Sequence, residues 1–201
     1  SLLLGLAHQL KEAIGAPVVC LLQNEAPYID SMPEEVRDEV WQIMAERAQE
    51  IDRFIAPSTF YAERMRDKLN LTAERVQVIQ NGINHDGYSA ERVAPNPPVI
   101  GFFSRMCKDK GLDTLVDAFI KMKQDNHIPQ LRLKIGGGCG PGDEPFVESL
   151  RDRLHAKALL GDVEFHPNLS RAEKQAFLKS LSVLSVPAQF GESFGFYVIE
   201  A

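Results

Sequence analysis

The chain has 201 residues, 44% of them apolar and 25% charged, and its 28 acidic and 22 basic side chains give a net charge of −6. This composition is typical of a folded globular protein of one large or two small domains, and it excludes a mostly disordered chain. The acidic balance argues against nucleic-acid binding, which needs a concentrated basic face. No apolar run reaches the roughly 18 residues that cross a bilayer.

The cysteines indicate the redox compartment of the protein, and the chain ends indicate whether the sequence is a piece of a longer one. Cys20, Cys107 and Cys139 are far apart and form no CxxC pair. An odd number with this spacing argues against a disulfide framework or a zinc knuckle and is typical of the reducing cytosol, so we expect a cytoplasmic protein. The chain begins within a helical pattern and ends at Ala201 without a cap, which predicts a piece of a longer protein.

The first part of the chain alternates between helical and extended patterns. Apolar residues from Leu2 to Ile14 have helical spacing, which predicts an amphipathic helix that ends at Gly15. Val18–Leu22 is short and apolar on both faces, as in a parallel strand that is buried on both sides. Ser31 and Glu34 have the spacing of a capping box, which predicts a helix start. Further elements are predicted at 54–56 (strand), 58–69 (helix capped by Ser58) and 76–79 (strand).

A change in composition separates the two parts. Residues 85–98 contain three prolines and show no periodicity, which predicts an interdomain linker between a domain at 1–84 and one at 99–201. Beyond it, Ser170 and Glu173 form a second capping box. The alternation predicts an α/β fold with parallel sheets covered by helices. The predicted strands lie at 99–103, 131–135, 163–165 and 183–186, and the helices lie at 112–122, 144–158, 171–181 and from about 195 onward.

The loop after the strand at 99–103 carries two cations. In parallel sheets, ligands bind beyond the carboxyl ends of the strands. Arg105 leaves such an end, and Lys110 lies near the amino end of the following helix, where a cation opposes the helix dipole. The pair therefore indicates an anion, most simply a phosphate or diphosphate. The alternative is a solvated basic loop in which Asp109 caps the helix.

Two glutamates frame the last predicted helix. Glu192 precedes the helix start and Glu200 lies more than one turn beyond it, so both carboxylates can accept hydrogen bonds from hydroxyl groups. The backbone N–H groups of Phe194 and Gly195 can face an anion. A ligand that carries both several hydroxyl groups and a negative charge fits this arrangement, and a sugar nucleotide is such a ligand. The alternative is that Glu192 is an N-cap and Glu200 a surface residue.

Three successive glycines follow the strand at 131–135. Gly137 and Gly138 let the backbone approach a ligand closely, at the same sheet edge as Arg105. The loop does not match GxGxxG, and the chain contains no G-K-[ST], so neither a dinucleotide fingerprint nor a P-loop is present.

In this order, the motifs resemble those of glycosyltransferase family 4, whose members are retaining enzymes with the GT-B fold. The resemblance implies two Rossmann-like domains, both incomplete here, with an acceptor-side domain first and a nucleotide-sugar domain second. The residues that carry it are Asn81-Gly82-Ile83, Gly101–Arg105, Lys110–Leu115 and an E-x7-E motif from Glu192 to Glu200.

The resemblance also implies roles for single residues. Arg105 and Lys110 would bind the donor diphosphate, Glu192 would bind the donor-sugar hydroxyls, and Glu200 would bind the ribose. No DxD triplet occurs, which agrees with a metal-independent enzyme without a cofactor, whose nucleoside-diphosphate sugar is a substrate. The remaining donor-binding candidates are Gly137, Gly138, His166, Asn168, Ser193, Phe194 and Gly195, with His166 and Asn168 near the base.

One position departs from the family pattern. Many relatives have a histidine after the strand at 18–22, near the reacting sugar, whereas Gln23 stands here. Glutamine can hydrogen-bond a hydroxyl but cannot exchange protons near neutral pH. Glu25 is a substitute candidate on the acceptor side, with a merely solvated loop carboxylate as the alternative.

These observations predict a retaining glycosyl transfer from a nucleoside-diphosphate sugar to an unknown acceptor, without nucleic acid as a partner. Two alternatives remain open: a nucleotide-sugar-binding piece without turnover, and a non-catalytic α/β scaffold that binds a protein. An incomplete sheet also leaves an edge strand unpaired, so we expect self-association.

Overall fold

The computed structural model describes residues 4–88 and 93–201, and it has the predicted α/β class. The chain divides into two compact units. The first comprises Ser1–Gly82 with Glu192–Phe194, and the second comprises Ile83–Gly191 with Gly195–Ala201. The predicted linker at 85–98 is grouped with the second unit, and its residues 89–92 lie outside the described part of the chain.

The first unit is built around a parallel sheet in the order β1-β2-β3. Its core lies between the sheet and the helices, where Phe54, Tyr61 and Met65 are fully buried. The strands are β1 (Val19–Leu21), β2 (Arg53–Ala56) and β3 (Val76–Val78), and the helices are α1 (Ala7–Ile14), α2 (Glu25–Asp30), α3 (Glu34–Ala48) and α4 (Thr59–Leu69).

Burial at the β1 edge is lower than the sequence predicts. Val19 is 48% exposed and Leu21 is 52% exposed, so β1 is buried on one face only. Leu10 and Ile14 of α1 are also exposed, although their spacing predicts a buried stripe. Within the described residues, α1 leaves an open apolar cleft of about 260 Å³ between itself and β1, because it covers the strand incompletely.

The predicted capping box at Ser31 is wrong, whereas the cap at Ser58 is confirmed. Ser31 has helical backbone angles and ends α2, and its hydroxyl donates to the Tyr28 carbonyl at 2.7 Å. It therefore cannot also begin α3, whose N-cap is Pro33. Ser58 has extended backbone angles and accepts from the Tyr61 N–H, as an N-cap should.

The second unit contains a parallel sheet in the order β6-β5-β4-β7. Every pair of neighbouring strands is parallel, so all four strands present their carboxyl ends at one edge. The strands are β4 (Val99–Phe103), β5 (Arg132–Gly137), β6 (Val163–Pro167) and β7 (Val183–Leu184), and the helices are α5 (Leu112–Asp125), α6 (Glu144–Ala156), α7 (Arg171–Lys179) and α8 (Phe196–Glu200).

The core of this unit follows the predicted periodicity. Leu112, Val116 and Phe119 of α5 are fully buried and pack with Leu133 and Ile135 of β5. The second predicted capping box is confirmed at the start of α7. No helix among residues 4–88 and 93–201 is long and apolar enough to cross a membrane.

Candidate functional site

Backbone hydrogen bonds join three loops at the carboxyl edge of the second sheet. The Ser104 N–H donates to the Gly136 carbonyl at 3.2 Å and the Met106 N–H to the Gly138 carbonyl at 2.8 Å. The Asn168 N–H donates to the Gly137 carbonyl at 2.8 Å. The loops after β4, β5 and β6 (residues 104–111, 138–143 and 168–170) therefore form one continuous surface, which we call the rim.

Gly137 allows these loops to approach. Its φ is +128°, a conformation that side-chain-bearing residues rarely adopt, and a Cβ at this position would lie 1.9 Å from the Ser104 carbonyl oxygen. Gly138 has open space where its side chain would be, with no atom within 4 Å. At Gly137, the backbone therefore closely approaches the neighbouring loop at Ser104 and not a ligand. At Gly138, the space beside the backbone is open.

Asn168 braces the rim with its amide group. The side-chain oxygen accepts from the Cys139 N–H at 2.9 Å, and the side-chain nitrogen donates to the Cys139 carbonyl at 2.9 Å. Asn168 also has a positive φ of 55°, which asparagine tolerates better than most residues. The amide thus connects the ends of β5 and β6, a role that its sequence position did not indicate.

His166 is the next-to-last residue of β6, just before the rim. Its Nε2 atom is 3.1 Å from the Glu164 carboxylate, and its ring packs edge-on against Phe177 with centroids 5.4 Å apart. A cavity of about 240 Å³ opens beside the same strand and is lined by Phe165 and Asn168. The Arg151 guanidinium lies 4.0 Å from the centroid of the Phe165 ring, so one wall combines an aromatic face with a cation.

Arg105 forms an ion pair that the sequence analysis missed. Its Nε donates to both carboxylate oxygens of Asp143 at 3.1 and 3.0 Å, and its Nη2 lies 3.0 Å from Oδ1. The Asp143 side chain is only 8% exposed, whereas that of Arg105 is 66% exposed. Hydrogen bonds from Arg105 and from the Gly140 N–H hold the pKa of Asp143 below its ordinary value, so the carboxylate stays ionised.

Lys110 lies slightly before the predicted helix start. It ends a short 3-10 turn at Lys108–Lys110, and α5 begins two residues later with Gly111 as its N-cap. Asp109 therefore does not cap the helix. Lys110 borders a narrow crevice together with Pro187 and other residues of the loop after β7. Gly111 permits this approach, since a Cβ there would lie 1.9 Å from the Pro187 carbonyl oxygen.

Glu200 is held by a cation from the neighbouring helix. The Lys174 ammonium of α7 lies 2.5 Å from Glu200 Oε1, and the Glu200 side chain is 13% exposed. The alternative of a solvated surface glutamate is therefore wrong. Burial lowers the pKa of Lys174, but the hydrogen bonds and charge interactions with Glu200 and Tyr88 together outweigh burial, so the pKa is raised.

The segment Glu192–Phe194 is grouped with the first unit. The Ser58 hydroxyl donates to the Ser193 carbonyl at 2.6 Å, and Ser193 is buried. Gly195 follows with a positive φ of 79° and is the N-cap of α8. The roles predicted for Glu192, Ser193, Phe194 and Gly195 stay predictions.

Glu25 is a buried anchor in the first unit. It is 7% exposed and accepts from the N–H groups of Gln23 and Asn24 and from the Tyr61 hydroxyl at 3.0 Å. The alternative of a solvated loop carboxylate is therefore wrong. Gln23 is exposed directly after β1, and its predicted place on the acceptor side stays a prediction.

Replacing Tyr61 with phenylalanine should destabilise the protein by about 1–3 kcal/mol. The Tyr61 hydroxyl also accepts from the Ala26 N–H at 3.1 Å, so the change leaves two buried polar groups without this partner. Urea titration of both proteins measures the difference. Tyr28→Phe is the matched control, because Tyr28 is 60% exposed. Equal losses in the two variants would contradict the anchoring role.

Solved structures share the fold of this chain. The crystal structure of Anabaena HepE in complex with UDP and glucose matches with a TM-score of 0.78 and 21% identity, over 98% of this chain and 53% of that chain. Sucrose-phosphate synthase from Thermosynechococcus elongatus matches with a TM-score of 0.77 and 19% identity, over 98% and 50% of the respective chains. These similarities confirm the GT-B fold.

Sequence comparison agrees with the fold. A D-inositol 3-phosphate glycosyltransferase from Mycobacterium sp. (strain KMS) is 26% identical over 161 residues, which cover 76% of this chain and 35% of that protein. The chain thus spans about a third of this curated relative. The model of the glycosyltransferase family 4 domain matches residues 1–86, and that of glycosyl transferases group 1 matches residues 89–201. The chain therefore belongs to the group 1 glycosyl transferases, with a family 4 domain at its start.

Proposed function

We propose that this chain forms part of a retaining glycosyltransferase that moves a sugar from a nucleoside-diphosphate sugar to an acceptor. The observation that carries the proposal is the rim, where Arg105 and the glycine-rich loop after β5 meet at the carboxyl edge of a parallel sheet. Ligands of such sheets bind at that edge. Family membership and the UDP and glucose in the HepE complex support the same ligand class.

Arg105 and Lys110 are the proposed diphosphate ligands. Negative charge grows on the departing phosphate while the sugar becomes cationic, so fixed cations stabilise the transition state more than the ground state. Arg105 is held by Asp143, and its largely exposed side chain can still reach an anion. We propose that these cations replace a metal ion, in agreement with the absence of a DxD triplet in the sequence.

The two glutamates are the proposed ligands of the donor's hydroxyl groups. Glu192 is proposed to bind the sugar, with Ser193 and the backbone N–H groups of Phe194 and Gly195 beside it, and Glu200 to bind the ribose. Lys174 contacts Oε1 of Glu200, and a carboxylate has further lone pairs for hydroxyl donors. The cavity beside Phe165 and Asn168 is the proposed base site, because the planar Arg151 guanidinium and the Phe165 ring in its wall are both groups that stack on planar rings.

Glu200→Gln should weaken the binding of the preferred nucleoside diphosphate by about 10- to 100-fold, since a hydrogen bond to a charged acceptor contributes about 1.5–3 kcal/mol. Lys174→Met is the matched control, because it breaks the same ion pair but leaves the carboxylate available. Isothermal titration calorimetry measures both dissociation constants. An equal loss in the two variants would assign Glu200 a structural role only.

The proposed function is tested by titrating UDP, GDP and ADP into the protein and assaying turnover of the matching glucose donor. Binding of one nucleotide together with donor consumption supports the transferase. Binding without any turnover favours the alternative of a nucleotide-sugar-binding module. No binding of any of the three at millimolar concentration favours the alternative of a non-catalytic scaffold and overturns the proposal.

A further inference from the structure

We propose that Asp143 is a positioning residue, which fixes the Arg105 guanidinium so that it faces the donor diphosphate. The inference rests on the proposed function, because it deepens the role of Arg105. Asp143 lies 38 positions away in the sequence, in the loop after β5, and belongs to none of the motifs that identify the site.

The carboxylate of Asp143 does not cap the helix that it precedes, α6. Asp143 is the N-cap residue of α6, a position where aspartate normally accepts from a backbone N–H of the first turn. Here the side chain makes no such bond. Its oxygens instead accept from Arg105 and, at 3.1 Å, from the Gly140 N–H. The nearly buried carboxylate thus joins two of the three loops of the rim, those after β4 and β5.

The ion pair engages one edge of the guanidinium. Asp143 contacts Nε and Nη2 of Arg105. Arginine has five N–H donors, so the Nη1 edge remains to donate to an anion. The exposure of the two side chains agrees with this division, since Asp143 is 8% exposed and Arg105 is 66% exposed.

Positioning affects the reaction because an exposed arginine otherwise samples many rotamers. The carboxylate restricts Arg105 before the donor arrives, which lowers the ordering cost of binding and keeps the cation aligned with the growing phosphate charge. The bond to Gly140 restrains the glycine-rich loop at the same time. A loss of Asp143 should therefore act on catalysis through Arg105.

The test is a double-mutant cycle on kcat with Arg105→Ala, Asp143→Asn and the double variant, using the glucose donor of whichever of UDP, GDP or ADP binds the unchanged protein. Asp143→Asn should lower kcat by about 10–100-fold, the size of effect that a small misplacement produces. In the Arg105→Ala background, the same change should lower kcat by less than about twofold, because coupled residues are not additive.

The controls separate positioning from folding. Asp117 and Arg153 form an exposed pair of the same type at 2.6 Å between α5 and α6, so Asp117→Asn should leave kcat unchanged. Asp143→Glu keeps the charge and should recover part of the activity. Asp143→Ser removes the charge as well and replaces Asp143→Asn in the cycle if thermal melting shows that the asparagine variant is unfolded.

Two results are distinguishable. If Asp143→Asn lowers kcat equally with and without Arg105, or leaves kcat unchanged, the positioning role is overturned while the proposed function stands. If the unchanged protein binds none of the three nucleotides and consumes no donor, the proposed function fails, and the positioning role fails with it.

Discussion

Arg105→Ala and Lys110→Ala should each lower kcat by about 10²–10³-fold, the usual effect of removing one electrostatic contact to developing charge. The dissociation constant of the nucleoside-diphosphate sugar should rise much less, because its leaving oxygen is still bonded to the sugar in the ground state and carries less charge there than in the transition state. Steady-state kinetics of donor turnover together with calorimetry separates the two quantities.

Lys108→Ala is the matched control for this prediction. Lys108 lies in the same 3-10 turn as Lys110 but is exposed. Its replacement should change kcat by less than about twofold, since Lys108 is not among the proposed diphosphate ligands and a solvated charge that makes no direct contact contributes little. Near-unchanged turnover in Arg105→Ala or Lys110→Ala would remove the main premise of the proposed function. An equal loss in Lys108→Ala would indicate a general effect of loop charge instead.

Gly137→Ala should lower the free energy of unfolding by about 3 kcal/mol or more, through a strained backbone and a steric clash together. Its φ of +128° lies outside the range of side-chain-bearing residues. The new Cβ would meet the Ser104 carbonyl oxygen at 1.9 Å, and this oxygen belongs to backbone that cannot swing away as a side chain can. The loops after β4 and β5 would have to separate, so donor binding should weaken as well.

Gly138→Ala is the control for this second prediction. No atom lies within 4 Å of the position of its Cβ, so stability should change by no more than about 0.5 kcal/mol. Urea titration of the two variants and the unchanged chain gives the comparison. A Gly137→Ala protein as stable as Gly138→Ala would contradict the close packing of the rim.

The self-association expected from an unpaired edge strand stays a prediction. The β1 edge is consistent with it, because Val19 and Leu21 are about half exposed there and an apolar cleft adjoins them. Light scattering over a wide concentration range tests it. A monomer at every concentration would contradict the expectation, and a mass that rises with concentration would support it.

The order of the elements in the second unit could be predicted because each depends on nearby residues. The apolar periodicity of α5 and the capping box at Ser170 act within one or two turns. The capping-box pattern gave a wrong prediction at Ser31, where one helix ends just before the next begins. Ser31 has the capping-box spacing, but α2, which the sequence analysis did not predict, ends at that residue.

The burial of charged groups could not be predicted in the same way. Glu25 was expected on the acceptor side, with a solvated loop carboxylate as the alternative. The alternative is wrong, because the carboxylate is buried against Tyr61, 36 positions away, while the acceptor-side role stays a prediction. Whether a carboxylate is solvated depends on the helices that pack over it. The apolar strand β1 is the opposite case, because one of its faces is exposed: a strand is buried on both sides only if another element covers each side.

The sequence by itself determined the α/β class, the succession of strands and helices in the second unit, and which loops carry cations and glycines, because these features arise from spacing along the chain. Only the tertiary structure decided the partners of the charges. Asp143 meets Arg105 across 38 positions, and Lys174 meets Glu200 across 26. The physical reason is that tertiary packing brings distant residues together: parallel strands bring the loops of Arg105 and Asp143 to one edge, and α7 and α8 bring Lys174 to Glu200. No local pattern in the sequence encodes these contacts.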